Sequence, residues 1–252
     1  MNFALILFLL TVFTMCAWLL DLLILAPARR RAAALRVATW ERDQLARGAP
    51  ADASARRRIE DGLVRRPAWL EYTAGLFPVF IVVFLLRSFL FEPFKIPSGS
   101  MIPTLLVGDL ILVNKYHYGV RLPVINKKII ANHDPQRGDV MVFRFPRDTS
   151  IDYIKRVIGV PGDRVEIGSG VVRVNGQALT EPYIAELPGY TGMWEVPEGE
   201  LFVLGDNRNH SSDSHDWGFV RQEWVVGKAV IIYWPIDRIR VLTHPNLVHA
   251  AP

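Results

Sequence analysis

The sequence predicts a mainly β protein, an antiparallel β domain anchored by two N-terminal transmembrane helices. Three observations predict it. Two apolar runs, Phe3 to Ala26 and Thr73 to Phe91, each reach the ~20 residues that cross a ~30 Å hydrocarbon core. An arginine-rich stretch separates them. Beyond Phe91 the pattern changes to short β-like runs divided by turn residues.

Residues 1–26 read as the first span, interrupted only by Asp21 near its end. A cleavable signal peptide would have a basic start and a shorter apolar region, and this run has neither. Asp21 is expected at the interface or paired with another polar group. Residues 27–71 form a basic loop. Positions 27–70 hold eleven arginines, no lysine and five acids, a net +6, whereas positions 71–252 carry a net −1. The whole-chain charge of +4 is therefore concentrated between the two spans, which predicts a cytoplasmic loop by the positive-inside rule. It also argues against a nucleic-acid partner. Ala32 to Ala46 is a helix candidate that Arg47-Gly48-Ala49-Pro50 would end. Residues 72–92 are the second span, with Pro78 placed to kink it and Arg87 near enough to its outer end to snorkel.

Residues 93–252 read as one extracytoplasmic β domain. Strands are expected at Asp109–Lys115, Val140–Phe145, Ile151–Val160, Val165–Ile167, Val171–Val174, Leu201–Leu204, Val225–Trp234 and Ile239–Thr243. Asn175-Gly176 between Val171–Val174 and Gln177–Thr180 is a hairpin signal. Other turns are expected at Gly108-Asp109, Arg137-Gly138-Asp139, Pro161-Gly162-Asp163 and Gly205-Asp206-Asn207. The Arg-Gly-Asp triplet also occurs in adhesion motifs, but at the entry to a strand it reads as a turn. The only cysteine, Cys16, lies in the first span, so no disulfide can form within this domain. Its roughly 160 residues suffice for a core without one.

Chemistry is suggested by Pro97-Ser98-Gly99-Ser100-Met101-Ile102-Pro103-Thr104-Leu105, just beyond the second span. The prolines forbid helix continuation and Gly99 allows a tight path that can present a hydroxyl beside backbone N–H groups. An ordinary polar turn would carry the same residues. A serine nucleophile needs a base. His210 and His215 lie among Asp206, Asp213 and Asp216, types that suit a Ser-His-Asp triad or a metal site, but without a recognisable spacing for either. Lysine is the other base, effective when burial depresses its pKa. In an extended strand Ile151, Tyr153, Lys155 and Val157 share one face, which puts Lys155 among apolar neighbours. Lys115 follows Ile111 and Val113 with the same alternation, and the pattern does not choose between the two lysines.

These residues resemble a known family. The stretch from Pro97 to Leu105 is similar to the nucleophile box of bacterial signal peptidase I, a Ser-Lys membrane protease of mainly β fold. Three further boxes follow in the family's order: Gly108-Asp109 with Val113, Lys115 and Tyr118-Gly119; Tyr153-Ile154-Lys155-Arg156 with Gly159-Val160-Pro161-Gly162-Asp163; and Gly205-Asp206-Asn207-Arg208 with Ser211, Asp213 and Ser214. The resemblance spans about residues 72–234. It implies Ser100 as nucleophile, Lys155 as general base, and an oxyanion hole made by the Ser100 N–H and the Ser98 hydroxyl. Ser211 matches a serine that hydrogen-bonds and orients the lysine, and Asp213 a structural acid. Ile96, Pro97, Met101, Leu105, Tyr153 and Ile154 match the pocket for the residue before the cut. Phe94, Ile111, Val142 and Ile154 match the pocket for the residue two positions earlier. From the residues alone these side chains read as core.

The implied function is removal of N-terminal signal peptides from exported preproteins after small residues, of the Ala-X-Ala type, at the outer face of a bacterial inner membrane. The implied partners are secretory preproteins and membrane lipid, with no metal or cofactor. Phe89, Phe91, Phe94 and Trp224 or Trp234 are candidates for contact with the lipid interface. Ser100 lies nine residues past Phe91, so at ~3.3 Å per residue it is within about 30 Å of the span's end. The non-catalytic alternative is a membrane-anchored β domain that binds extended peptides at a sheet edge. Two positions depart from the family. Asn209 stands where an acid is usual, and His215 where arginine is usual. The short segment between the third and fourth boxes implies a reduced second subdomain.

Overall fold

The computed structural model describes residues 3–48, 52–121 and 128–242. Two compact units divide the chain, one ending at Leu86 and the other beginning at Arg87.

The first unit is helical. Helix α1 (Phe3–Leu20) runs through a π-helical turn, Asp21–Leu25, directly into α2 (Ala26–Ala46). This differs from the expected break at Pro27. The Ala26 N–H reaches back to the Asp21 carbonyl, and this wider turn accommodates Pro27 in the first turn of α2. The expected stop after Ala46 holds at Arg47 and Gly48, while Ala49 and Pro50 lie outside the described residues. The basic segment is therefore helical for much of its length, with α3 (Ala53–Val64) packed along α2. Asp52 caps α3, its carboxylate accepting the Ser54 N–H at 2.8 Å.

Helix α4 (Ala68–Ala74) and α5 (Phe77–Leu85) are interrupted at Gly75 and Leu76, just before Pro78, and a second π-helical turn covers Leu86–Leu90. Ring contacts Phe8 to Phe84 at 5.9 Å and Trp18 to Phe77 at 5.3 Å set α1 antiparallel to α5. Two helical stretches, Leu5–Ala46 and Ala68–Leu90, are long and apolar enough to cross a membrane. Asp21 is buried at 1% exposure and pairs with Arg29 at 2.6 Å and Arg66 at 2.8 Å. Of its two sequence expectations, pairing is what occurs.

The second unit is built on antiparallel sheets. The main sheet runs β1 (Phe91–Lys95), β2 (Leu110–Asn114), β13 (Val225–Trp234), β5 (Val140–Phe145), β6 (Asp148–Gly159), β11 (Glu200–Leu204) and β12 (Val220–Arg221), with β14 (Arg240–Val241) also paired to β13. A four-stranded sheet has the order β10 (Gly192–Glu195), β7 (Arg164–Gly168), β8 (Val171–Val174) and β9 (Gln177–Ala178). A short pair, β3 (Val120–Arg121) with β4 (Lys128–Ile130), completes the described strands. Strand β1 replaces the expected last residues of the second span. Its Pro93 is tolerated because β1 is an edge strand. Thr243, the expected end of the last strand, lies outside the described residues.

Alternation along β5 divides the core. Val140 and Val142 join Ile96, Met101, Leu105 and Ile111 on one face, while Met141 and Phe143 join Val157, Leu201 and Val203 on the other. Three turns share one construction. In Leu106–Asp109, Gln136–Asp139 and Val160–Asp163, glycine occupies the third position at positive φ (97°, 92° and 84°). The aspartate N–H bonds back to the first carbonyl, and its carboxylate accepts the first residue's N–H. Each aspartate also meets a cation: Arg238 for Asp109, Lys228 for Asp139 and Arg137 for Asp163. Asp139 is 1% exposed, so the Arg-Gly-Asp triplet is a strand-entry turn. The Asn175-Gly176 turn, both residues at positive φ (55° and 82°), closes β8 onto β9 as expected.

Candidate active site

The Ser-Gly-Ser stretch emerges where β1 ends. Ile96 exchanges both backbone hydrogen bonds with the β2 side, from its N–H to Asp109 and from the Gly108 N–H to its carbonyl. Residues 97–107 are thereby closed into a loop. Met101 and Leu105, both fully buried, anchor that loop in the core, and an Ile102 N–H to Gly99 carbonyl bond of 3.2 Å tightens it around Ser100. The turn is held from outside by Asn207, whose N–H donates to the Ser100 carbonyl at 3.1 Å and whose side-chain amide donates to the Gly99 carbonyl at 3.0 Å.

Strand β6 brings the lysine. Its residues are exposed from Asp148 to Asp152, partly buried at Tyr153 and Ile154, and fully covered from Lys155 onward. Lys155 is therefore the first residue under cover, 4% exposed, and its Nζ donates to the Ser100 Oγ at 2.7 Å. Burial pushes the Lys155 pKa down to about 8, against the opposing pull of Asp213 and Asp206. Lys115 instead pairs with Glu92 at 3.0 Å at a quarter exposure. Of the two lysines that strand alternation left open, Lys155 is the one in contact with Ser100.

The residue after Lys155 points elsewhere. The Arg156 guanidinium is 3% exposed and grips Asp206 with two bonds, at 2.8 and 2.6 Å. Asp206 also accepts the Thr104 hydroxyl at 2.5 Å. This network ties the Ser100 loop, β6 and the Gly205–Asn207 turn together. Sequence reasoning placed Asp206 and Asn207 in a motif but missed both the Asn207 clamp and this buried pair. The adjacency of Lys155 and Arg156 in one strand was the available signal, since neighbouring strand residues face opposite ways.

The remaining predicted residues divide by location. Ser98 and Tyr153 line a cleft of about 380 Å³ together with Ser100, Lys155, Asn207 and His210. Ile96, Met101, Leu105, Ile111 and Val142 are buried in the core beneath the nucleophile loop, with Phe94 and Ile154 packed against them, and Pro97 is exposed. The Ser211 hydroxyl is buried and makes no hydrogen bond among the described residues, in contrast to the expected bond to the lysine. It lies against Gly205, where a Cβ would collide with both the Ser211 hydroxyl and the Ser100 carbonyl. Asp213 is fully buried. Its carboxylate accepts the Gly205 N–H at 2.9 Å, caps the short helix α6 (Ser214–Trp217) and meets His215 Nδ1 at 2.6 Å. Asn209 holds the 187–189 loop, accepting the Gly189 N–H at 2.8 Å and donating to the Leu187 carbonyl at 3.1 Å. His215 is thus engaged away from Ser100. Among the described residues no cluster of three metal-ligating side chains occurs.

Chemically, a buried amine of depressed basicity bonded to a serine hydroxyl can take up that hydroxyl's proton. Among the described residues the Ser100 N–H donates to no protein acceptor, which leaves it available to an anion forming beside Oγ.

Comparison with known proteins gives a consistent result. The profile of the family described as signal peptidase, peptidase S26, matches residues 69–234. A signal peptidase I from Pseudomonas fluorescens is 40% identical over 270 residues, covering 90% of both chains. One from Pseudomonas aeruginosa gives the same identity and coverage. A crystal structure of a signal peptidase I from Enterococcus faecalis is 37% identical, covering 38% of this chain and 97% of that one, with a TM-score of 0.36.

Proposed function

Because the chain belongs to the signal peptidase family, peptidase S26, we propose that Ser100 and Lys155 form the catalytic pair by which it removes signal peptides. The protein is a membrane-anchored serine peptidase that removes signal peptides. The observation that carries it is the 2.7 Å contact between the Lys155 amine and the Ser100 hydroxyl, inside a site where the amine is 4% exposed.

In this reading neutral Lys155 accepts the Ser100 proton as Oγ attacks the scissile carbonyl. The Ser100 N–H and the Ser98 hydroxyl stabilise the oxyanion, each such donor typically contributing ~3–4 kcal/mol. The protonated lysine then delivers its proton to the departing amine, leaving an acyl group on Ser100. Lys155, neutral again, deprotonates the water that releases the signal peptide, and Ser100 recovers its proton. Ser211 packs against Gly205 beside the Ser100 carbonyl, and Asp213 supports the same turn through the Gly205 N–H. Preference for small residues of the Ala-X-Ala type fits a small cleft lined by Ser98, Ser100 and Tyr153, beneath which Ile96, Met101, Leu105, Ile111 and Val142 already fill the core.

We further propose that segments 1–26 and 72–90 span a bacterial inner membrane, with basic segment 27–71 in the cytoplasm and the β unit that begins with β1 on the periplasmic side. The charge division supports this orientation. Exposed Trp234, Ile236, Ile239 and Val241 favour contact with the lipid interface.

The test is incubation of the purified chain with a labelled preprotein. Ser100→Ala should abolish processing while leaving the thermal unfolding transition in place. Processing by the variant at the wild-type rate would refute the assignment, and absence of processing by the wild-type chain itself would favour the peptide-binding alternative for this cleft.

A further inference from the structure

His215 touches none of the reacting atoms, yet it is one contact removed from the floor of the site. Its Nδ1 meets Asp213 at 2.6 Å, and Asp213 holds the Gly205 N–H at 2.9 Å. Gly205 in turn sits against the Ser100 carbonyl and the Ser211 hydroxyl. The imidazole is fixed in this pose by a parallel stack on Tyr190, with centroids 4.0 Å apart and planes inclined by 12°.

The two carboxylates that favour the charged form of Lys155 are neutralised differently. Asp206 is locked to the Arg156 guanidinium, a permanent cation. Asp213, fully buried, has only an imidazole as its cationic partner among the described residues. We propose that His215 is a positioning residue for the catalytic pair: its imidazolium cancels the charge of Asp213, and so determines how readily the amine beside Ser100 gives up its proton. This rests on the Ser100–Lys155 reading above.

The groups facing His215 from every side are few. Asp213 and Asp216 lie on its own segment, Asp216 at 3.6 Å and half exposed. Tyr190 covers the ring from the 187–190 loop, and behind it lie Arg208 and Glu181, which are paired to each other. The hydrogen bond to Asp213 raises the His215 pKa above its usual value, against desolvation. The imidazolium therefore persists to higher pH than in a free histidine and is lost as pH rises through that raised value. Once it is lost, the exposed charge of Asp213 strengthens the ammonium form of Lys155, and the fraction of neutral base falls.

The experiment compares three variants of the full chain in detergent, with a fluorogenic peptide bearing an Ala-X-Ala site, measuring kcat/KM from pH 5 to 10. His215→Arg supplies a permanent cation, His215→Asn keeps a donor near Nδ1 without charge, and His215→Phe keeps only the stack on Tyr190. The rising limb should have its lowest midpoint in His215→Arg and its highest in His215→Asn and His215→Phe, with wild type between. The expected separation is about 0.5–1 pH unit, a three- to tenfold difference in kcat/KM at pH 7 that closes by pH 10. A shared midpoint for His215→Arg and His215→Asn overturns the inference, as does a loss by the same factor at every pH. Ser100→Ala in the same assay keeps the two proposals apart. If it cleaves, the Ser-Lys reading fails. If it is inactive while the His215 variants share one midpoint, only the role of His215 fails.

Discussion

Lys155 carries a cost in stability that the role proposed for it would explain. A buried amine held down to about pH 8 lies well below its ordinary value of 10.5, and each unit of that difference is worth about 1.4 kcal/mol. The unfolded chain binds the proton more tightly, so the site opposes folding wherever the unfolded lysine is charged, fully below about pH 8 and less and less toward 10.5. We expect Lys155→Met to unfold at a higher temperature than wild type at pH 7, with a gain on the order of 1–3 kcal/mol after loss of the bond to Ser100. Wild-type stability should rise as pH moves from about 8 toward 10.5, and the variant should lack that rise. Equal stability at pH 7 would mean the amine is better solvated than its 4% exposure indicates. The lysine's place on an inward strand face was legible from alternation. Its choice over Lys115 was not, because both strands alternate alike and only the long-range approach of the nucleophile loop separates them. Asn207 was illegible for the same reason. Its partners, Gly99 and Ser100, lie more than a hundred positions away and involve backbone carbonyls, which leave no trace in side-chain patterns.

At the scale of elements, the three Gly-Asp turns show why punctuation in the sequence was so readable. Each joins a glycine that permits positive φ to an aspartate that satisfies the turn's own first N–H, so the signal is local. Asp163 has three partners: Arg137, the Val160 N–H and the Asn175 amide. Burial pushes its pKa up, but these three outweigh it and leave the carboxyl below the usual range. Asp163→Ala should therefore cost about 2–3 kcal/mol in urea unfolding at pH 7. The difference from wild type should shrink as pH falls through the depressed value and the wild-type carboxylate is protonated. Elements were misread where a local signal met a tertiary answer. Pro27 reads as a break, yet a wider helical turn absorbs it. Phe91 and Glu92 read as the tail of an apolar span, yet they begin a strand, β1, that pairs with β2 along its whole length.

For the molecule as a whole, the division at Leu86 and Arg87 separates two bodies with their own interiors. The helical unit closes around aromatic contacts and the Asp21 pair with Arg29 and Arg66. The β unit has three apolar clusters of its own. A chain beginning at Arg87 should accordingly give a β-type circular dichroism spectrum and a single cooperative unfolding transition. It should also hydrolyse a short soluble peptide while processing a membrane-embedded preprotein at least tenfold more slowly than the full chain. Failure to fold would show that the β unit depends on the helices.

The close approach at Gly205 has a consequence for what the chain can tolerate. Two loops a hundred residues apart are spaced there by the width of one hydrogen atom, with the Ser100 carbonyl on one side and the Ser211 hydroxyl on the other. Position 205 therefore acts as a gauge between them. One added methyl would force the serine-bearing loop to retreat from the amine, and only a smaller group at 211 would make room on the opposite side.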